Sequence, residues 1–254
     1  RRKHTYVIGK SGMGKTTLLE NMTIQDIQNG EGVGIIDPHG EYAEKMLDFV
    51  PPSRVKVVIY FNPSDLNFPV GFNPLENINP DQRHLVASGL MGVFKKIWPD
   101  VWSARMEYIL NNTILALLES PGSSLLGINR MFSDKEFRKN VVAGIRDEQV
   151  RAFWTKEFPN MIYMTAIDGV APIANKLGAF LAHPVIRRAI CEPEQPLRFR
   201  SIMDKEEVLV VNLAKGRLGV DMANVLGGLL VSNVMLAAFS RQGSGLVSFS
   251  MSKT

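Results

Sequence analysis

Gly9-Lys10-Ser11-Gly12-Met13-Gly14-Lys15-Thr16 (GKSGMGKT, residues 9–16) satisfies G-x-x-x-x-G-K-[ST] at every position. Each residue type has a physical task. The glycines let the backbone curl so that successive N–H groups point at phosphate oxygens. A helix starting near Lys15 adds its positive N-terminal end. Lys15 is placed to reach the β- and γ-phosphates of ATP, and the Thr16 hydroxyl to take one position on Mg2+. Gly9, Ser11, Gly12, Met13, Gly14 and Thr17 complete the expected phosphate contacts.

The flanking sequence supplies the context the loop needs. Tyr6-Val7-Ile8 reads as a short strand ending at Gly9, and Lys15–Asn29 as a helix that stops at Asn29-Gly30. Val33–Asp37 (VGIID) reads as a second buried strand, followed by a turn at Pro38-His39-Gly40 and a helix from near Glu41. Val55–Tyr60 (VKVVIY) reads as a third strand; such continuous apolar runs suit parallel strands covered on both faces. Prolines 63, 69, 74 and 80 then mark a change of texture, and a helical region of about 110 residues follows. In it, Ala104–Glu119 sets Met106, Ile109, Leu110, Thr113, Ile114, Leu117 and Leu118 along one stripe. Ser133-Asp134-Lys135-Glu136 reads as a capping box. Strand texture returns at Val208–Leu213 (VLVVNL). The uncharged stretch 222–240 is long enough to span a bilayer, but Asn224, Asn233, Ser232 and Gly227-Gly228 lead us to read it as a buried helix of the α/β core.

The predicted fold is therefore α/β: a RecA-like P-loop NTPase core with a mostly parallel sheet, interrupted by an all-α insert. The nucleotide-binding domain takes residues 1–78 and 200–242, the insert 79–199, and 243–254 form a disordered Gly/Ser-rich tail. This division predicts that deleting 80–195 leaves nucleotide binding largely intact.

Composition sets bounds on the rest. With 45% hydrophobic and 21% charged residues the chain is of ordinary globular make-up. The net charge of +4 resolves into 8 basic and 8 acidic residues over 1–75, 16 and 13 over 76–200, and 5 and 4 over 201–254. No segment is a basic block, so a nucleic acid would be held by a local patch or a ring of subunits. The single Cys191 excludes an intrachain disulfide framework and reads as packing, not a nucleophile.

Asp37-Pro38-His39-Gly40-Glu41 lies just beyond the second strand, at the sheet edge where α/β ligands sit. Two readings stay open: Asp37 or Glu41 faces Mg2+ or its waters, or the segment is a turn with Glu41 as a helix N-terminal acid. His39 has no second His or Cys spaced to form a metal site with it. An ATPase of this kind also carries an apolar strand ending in Asp-Glu for Mg2+ and the attacking water. Val208–Leu213 ends in Asn212 instead, so the chain reads as truncated before its Walker B strand.

GKSGMGKTT (9–17), GIIDPHGEY (34–42), GFNPL (71–75) leading into the helical region, and VLVVNLAKGRLG (208–219) together resemble the VirD4/TraD-type coupling ATPases of type IV secretion, and more widely the HerA/FtsK translocases. The resemblance covers roughly residues 4–240. It implies a hexameric, DNA-stimulated ATPase that pulls DNA through a central channel and meets secretion or relaxosome proteins. It also implies a cytoplasmic position at the inner face of the cell membrane, with any anchor in a segment outside this chain. An arginine delivered to the neighbouring subunit's nucleotide is expected of such rings; Arg217 is the candidate and Arg187-Arg188 an alternative. Lys95, Lys96, Arg138, Lys139, Arg187 and Arg188 are the candidate DNA phosphate contacts. Trp98, Trp102 and Trp154 read as core before base-stacking platforms. A HerA-like DNA-processing translocase and a nucleotide-gated scaffold that moves no DNA are the alternatives.

Overall fold

A computed structural model describes residues 6–65, 67, 70–76, 78–161 and 163–242; the predicted tail at 243–254 lies outside them. The chain begins with the P-loop and helix α1 (Lys15–Gln28), then strand β1 (Val33–Asp37) and helix α2 (Glu41–Leu47). Strand β2 (Val58–Phe61) follows a 3-10 turn over Pro52–Val57, so the third strand begins three residues later than its apolar run suggests. The short strand β3 (Val70–Gly71) leads into the helical region: α3 (Arg83–Ile97), α4 (Ala104–Leu118), α5 (Gly127–Ser133), α6 (Lys135–Gly144), α7 (Glu148–Ala152), α8 (Tyr163–Ala182) and α9 (Pro184–Ile190). Strand β4 (Gln195–Pro196), helix α10 (Phe199–Asp204), strand β5 (Val208–Asn212), the single turn α11 (Lys215–Leu218) and the long helix α12 (Val220–Gln242) complete the order.

The main sheet is parallel, in the order β1-β5-β2, so the strand that returns last in sequence is central. All five of its residues are buried, as a fully covered strand requires. Its alternation divides the core. Val208 and Val210 join Ile27, Ile35, Ala43 and Met46 beneath α1 and α2, whereas Leu209 and Val211 join the larger cluster that runs through α12 and the helical region. A second parallel pair, β3 with β4, closes the chain where it leaves for the helices and returns.

At the opposite edge of the sheet Arg54 gathers three carbonyls, donating from Nη1 to Ile27 O (3.0 Å) and Glu31 O (2.8 Å) and from Nη2 to Glu206 O (2.6 Å). This fixes the end of α1 against the turn that enters β5.

Four sequence expectations change. Tyr6-Val7-Ile8 is not a strand: among the described residues none pairs with it, and Tyr6 and Ile8 are 87% and 79% exposed. An apolar triplet supplies the side chains of a strand but not the neighbour that makes one. Helix α6 is capped by Asp134, which accepts from Phe137 N–H (2.9 Å), one residue later than the capping box predicts; Ser133 instead donates to Asn129 O at the end of α5. Helix α4 buries Asn112, Leu115 and Ala116 in addition to its predicted stripe, because α3, α5 and α8 pack around it.

The fourth concerns α12. It is long and apolar enough to cross a membrane by length and composition, and only 28% of its most apolar window is buried. Ala223, Val225, Leu226, Leu229 and Leu230 pack inward, while Val231, Met235 and Phe239 remain exposed. Its principal partner is α3, from inside the predicted insert. The two helices approach so closely that a Cβ on Gly228 would stand 2.9 Å from Val93 Cγ1. The helical region therefore shares one continuous core with the sheet.

Candidate functional site

The P-loop is exposed from Gly9 to Gly14. Gly12 and Gly14 hold φ of 80° and 76°, left-handed values that open the loop and that L side chains adopt only with strain. Lys15 folds back into it, Nζ donating to Gly9 O (2.7 Å) and Lys10 O (2.8 Å). Its partners are loop carbonyls, not a carboxylate. Helix α1 starts at Gly14 with no side-chain cap and no acidic residue in its first turn. The N–H groups of its first turn and the lysine ammonium are thus left for an anion. A polyphosphate suits this donor set: an uncapped 14-residue helix, a curled glycine loop and a cation already at its centre. The Ser11, Thr16 and Thr17 side chains are on exposed positions of the same turn.

Helix α1 is docked on α2 by three polar contacts, Thr23 Oγ1 with Tyr42 Oη (2.6 Å), Tyr42 Oη donating to Leu19 O (3.4 Å) and Lys45 Nζ with Glu20 Oε2 (2.8 Å). Burial pushes the Tyr42 phenol above its ordinary range, against the hydrogen bond from Thr23. The phenol therefore stays neutral and keeps its hydrogen bond across the physiological range.

Asp37 is 6% exposed at the end of β1. Its Oδ1 accepts from His39 N–H (2.9 Å), and its Oδ2 accepts from the N–H groups of Gly40 (2.9 Å), Tyr42 (2.9 Å) and Ala43 (3.1 Å). That is the geometry of the turn reading, with the carboxylate serving the start of α2. Glu41 is exposed at the first position of α2. Replacing Asp37 by Asn puts an NH2 against backbone donors. We expect a loss of about 2 kcal/mol in unfolding free energy, read from urea denaturation. A variant as stable as the parent but weaker in Mg2+-dependent ATP binding would place the carboxylate on the metal instead.

The loop leaving β5 lies against this turn. Leu213 N–H donates to Asp37 O (3.0 Å) and Lys215 N–H to Pro38 O (3.1 Å). The structure thus brings the DPHGE turn and the NLAKGRLG loop together at one sheet edge, with Arg217 exposed on α11. Sequence reasoning missed Asn212 as part of this edge. It is 1% exposed and donates from Nδ2 to Glu44 Oε1 (3.1 Å) and Tyr60 Oη (2.9 Å). An amide closing an otherwise apolar strand was the available signal.

The other candidates separate by use. Lys95 pairs with Glu107 and Arg188 with Glu194. Arg138 donates to Met131 O and Phe132 O beneath the Phe158 ring. Lys96, Lys139 and Arg187 are exposed, on three separate helices. Trp98 stacks on Phe94 with centroids 5.5 Å apart, Trp102 Nε1 donates to Glu107, and Trp154 is 3% exposed with Nε1 toward Asn112 O. All three are engaged in packing. Cys191 is buried, which pushes its thiol up to about 12, so it is no nucleophile at neutral pH.

Residues 2–126 match the family model described as helicase HerA, central domain. The matched span holds the P-loop, the DPHGE turn, GFNPL and the first helices of the helical region, and ends before β5. The match covers just under half of the chain and is a likeness to that domain. No curated protein and no solved structure gives a match.

Proposed function

We propose that the chain is the ATP-binding motor core of a DNA translocase. The observation that carries the proposal is Lys15, whose ammonium sits among loop carbonyls at the uncapped start of α1; the HerA match supports the motor class. In this reading the N–H groups from Gly9 to Thr17 hold the phosphates of ATP, and the Thr16 hydroxyl takes a position on Mg2+. Bound Mg2+ supplies charge neutralisation between the phosphates. Arg217 is offered to the nucleotide of a neighbouring copy in a ring, hexameric by the same reading. The helical region behind GFNPL further favours a conjugative coupling role at the inner face of the membrane, meeting secretion or relaxosome proteins.

The nucleotide-gated scaffold is the second reading: β5 ends in Asn212, an amide held by Glu44 and Tyr60 at the sheet edge beside the DPHGE turn. ATP turnover with and without DNA, read beside nucleotide and DNA binding, separates the two. A motor shows turnover raised by DNA, with DNA affinity falling steeply as salt rises. ATP binding that neither alters nor responds to DNA would overturn the motor reading in favour of the scaffold.

A further inference from the structure

Asn212 closes the central strand in surroundings that a polar group occupies only for a reason. Both protons of its amide are used, by Glu44 on α2 and by Tyr60 on β2. Its Oδ1 is buried and has no hydrogen-bond partner. Gly40 stands against that oxygen, so closely that a Cβ there would lie 2.5 Å from it. Gly40 also holds φ at 98°, a left-handed value. A buried acceptor left unmet beside a turn that only glycine fits marks a place where structure is held for function.

We propose that Asn212 is a positioning residue that couples nucleotide occupancy of the P-loop to the α11 turn carrying Arg217. The proposal rests on the nucleotide-binding reading above. The connections are physical and continuous. Helix α1, whose first turn meets the phosphates, is fixed to α2 by Thr23–Tyr42 and Glu20–Lys45. Helix α2 is fixed to β5 by Glu44–Asn212. A desolvated amide that already lacks one partner cannot release two more without leaving donors unpaired, so α2 and the end of β5 move together. The element with two arrangements is the turn after Asn212. Its ties to Asp37 O and Pro38 O hold Ala214 at φ 35°, a left-handed value that a residue with a Cβ adopts only with strain. Nucleotide that fixes α1 and α2 holds the DPHG turn and keeps those ties, whereas without it a shift of α2 loosens them and lets Ala214 return to an ordinary conformation, swinging Arg217. Nucleotide on the P-loop thereby sets the position of an arginine on a different loop.

Backbone hydrogen exchange on the whole chain, with and without Mg2+ and a non-hydrolysable ATP analogue, tests this. Nucleotide is expected to slow exchange over 9–19 and, by at least about fivefold, over 213–219. In Asn212→Ala the slowing over 213–219 is expected to vanish while that over 9–19 and the analogue affinity persist. Glu44→Ala, a change at an exposed position, should do the same without risk to the core. Glu44→Gln keeps the acceptor and should restore the coupling. Slowing over 213–219 that survives both Asn212→Ala and Glu44→Ala overturns the coupling, as does its absence from the parent chain when 9–19 responds. No response anywhere overturns the nucleotide reading itself, and this inference with it.

Discussion

Lys15→Ala is expected to remove measurable ATP affinity while leaving the fold intact. The ammonium is turned inward to the curl of the loop, held by Gly9 O and Lys10 O. Charge-assisted hydrogen bonds to phosphate contribute about 1.5–3 kcal/mol each. Losing two of them weakens affinity by roughly 100-fold or more. The same change costs the folded state little, because the loop carbonyls it frees are exposed and regain water; a shift within about 0.5 kcal/mol is expected. Isothermal titration with Mg2+ and ATP, paired with a thermal melt, reads both quantities. Lys10→Ala removes the same formal charge from the same loop and should weaken binding by less than about threefold, since an exposed charge outside the cradle acts only through screened attraction. ATP affinity retained in Lys15→Ala would sink the P-loop assignment.

How much of this was legible in the sequence depended on how local the interaction is. The P-loop is a statement about eight consecutive residues, and its glycine conformations, helix start and lysine position could all be read from the pattern. The parallel strands at 33–37 and 208–212 were legible because covered strands need uninterrupted apolar runs. Asp37 was half legible. The turn chemistry of Pro38-His39-Gly40 suggested a cap, but four converging N–H groups become visible only once α2 has formed. Tyr6–Ile8 misled because strand texture describes side chains, whereas a strand exists only with a ladder partner. Arg54 was not legible in its role, and Asn212 only as an amide closing an apolar strand, its partners hidden. Nothing in the chain order connects residue 54 with residues 27, 31 and 206, or residue 212 with 44 and 60.

The second large effect concerns the boundary that composition suggested. If residues 79–199 formed a separable insert, excision of 80–195 would leave a nucleotide-binding domain. The packing predicts the opposite. Without the helical region, the sheet keeps on one face only the small cluster of Ile27, Ile35, Ala43, Met46, Val208 and Val210. On the other face it loses the α3 side chains that belong to the same core as α12: Val86, Leu90 and Phe94 are each 2% exposed or less, as are Leu226, Leu229 and Leu230. Truncating a single buried leucine costs about 2–5 kcal/mol, and a whole domain is stable by only about 5–15 kcal/mol. Removing several such residues at once therefore exceeds the stability available. The excised chain is expected to show no cooperative thermal transition by circular dichroism and no ATP binding. Leu90→Ala in the intact chain, expected to cost about 3 kcal/mol with ATP affinity retained, tests the same interface without removing the helices. A deleted chain that melts cooperatively and binds ATP would establish two independent cores. In that case α12 would have to cover its apolar face without α3, which the close approach at Gly228 gives no means of doing.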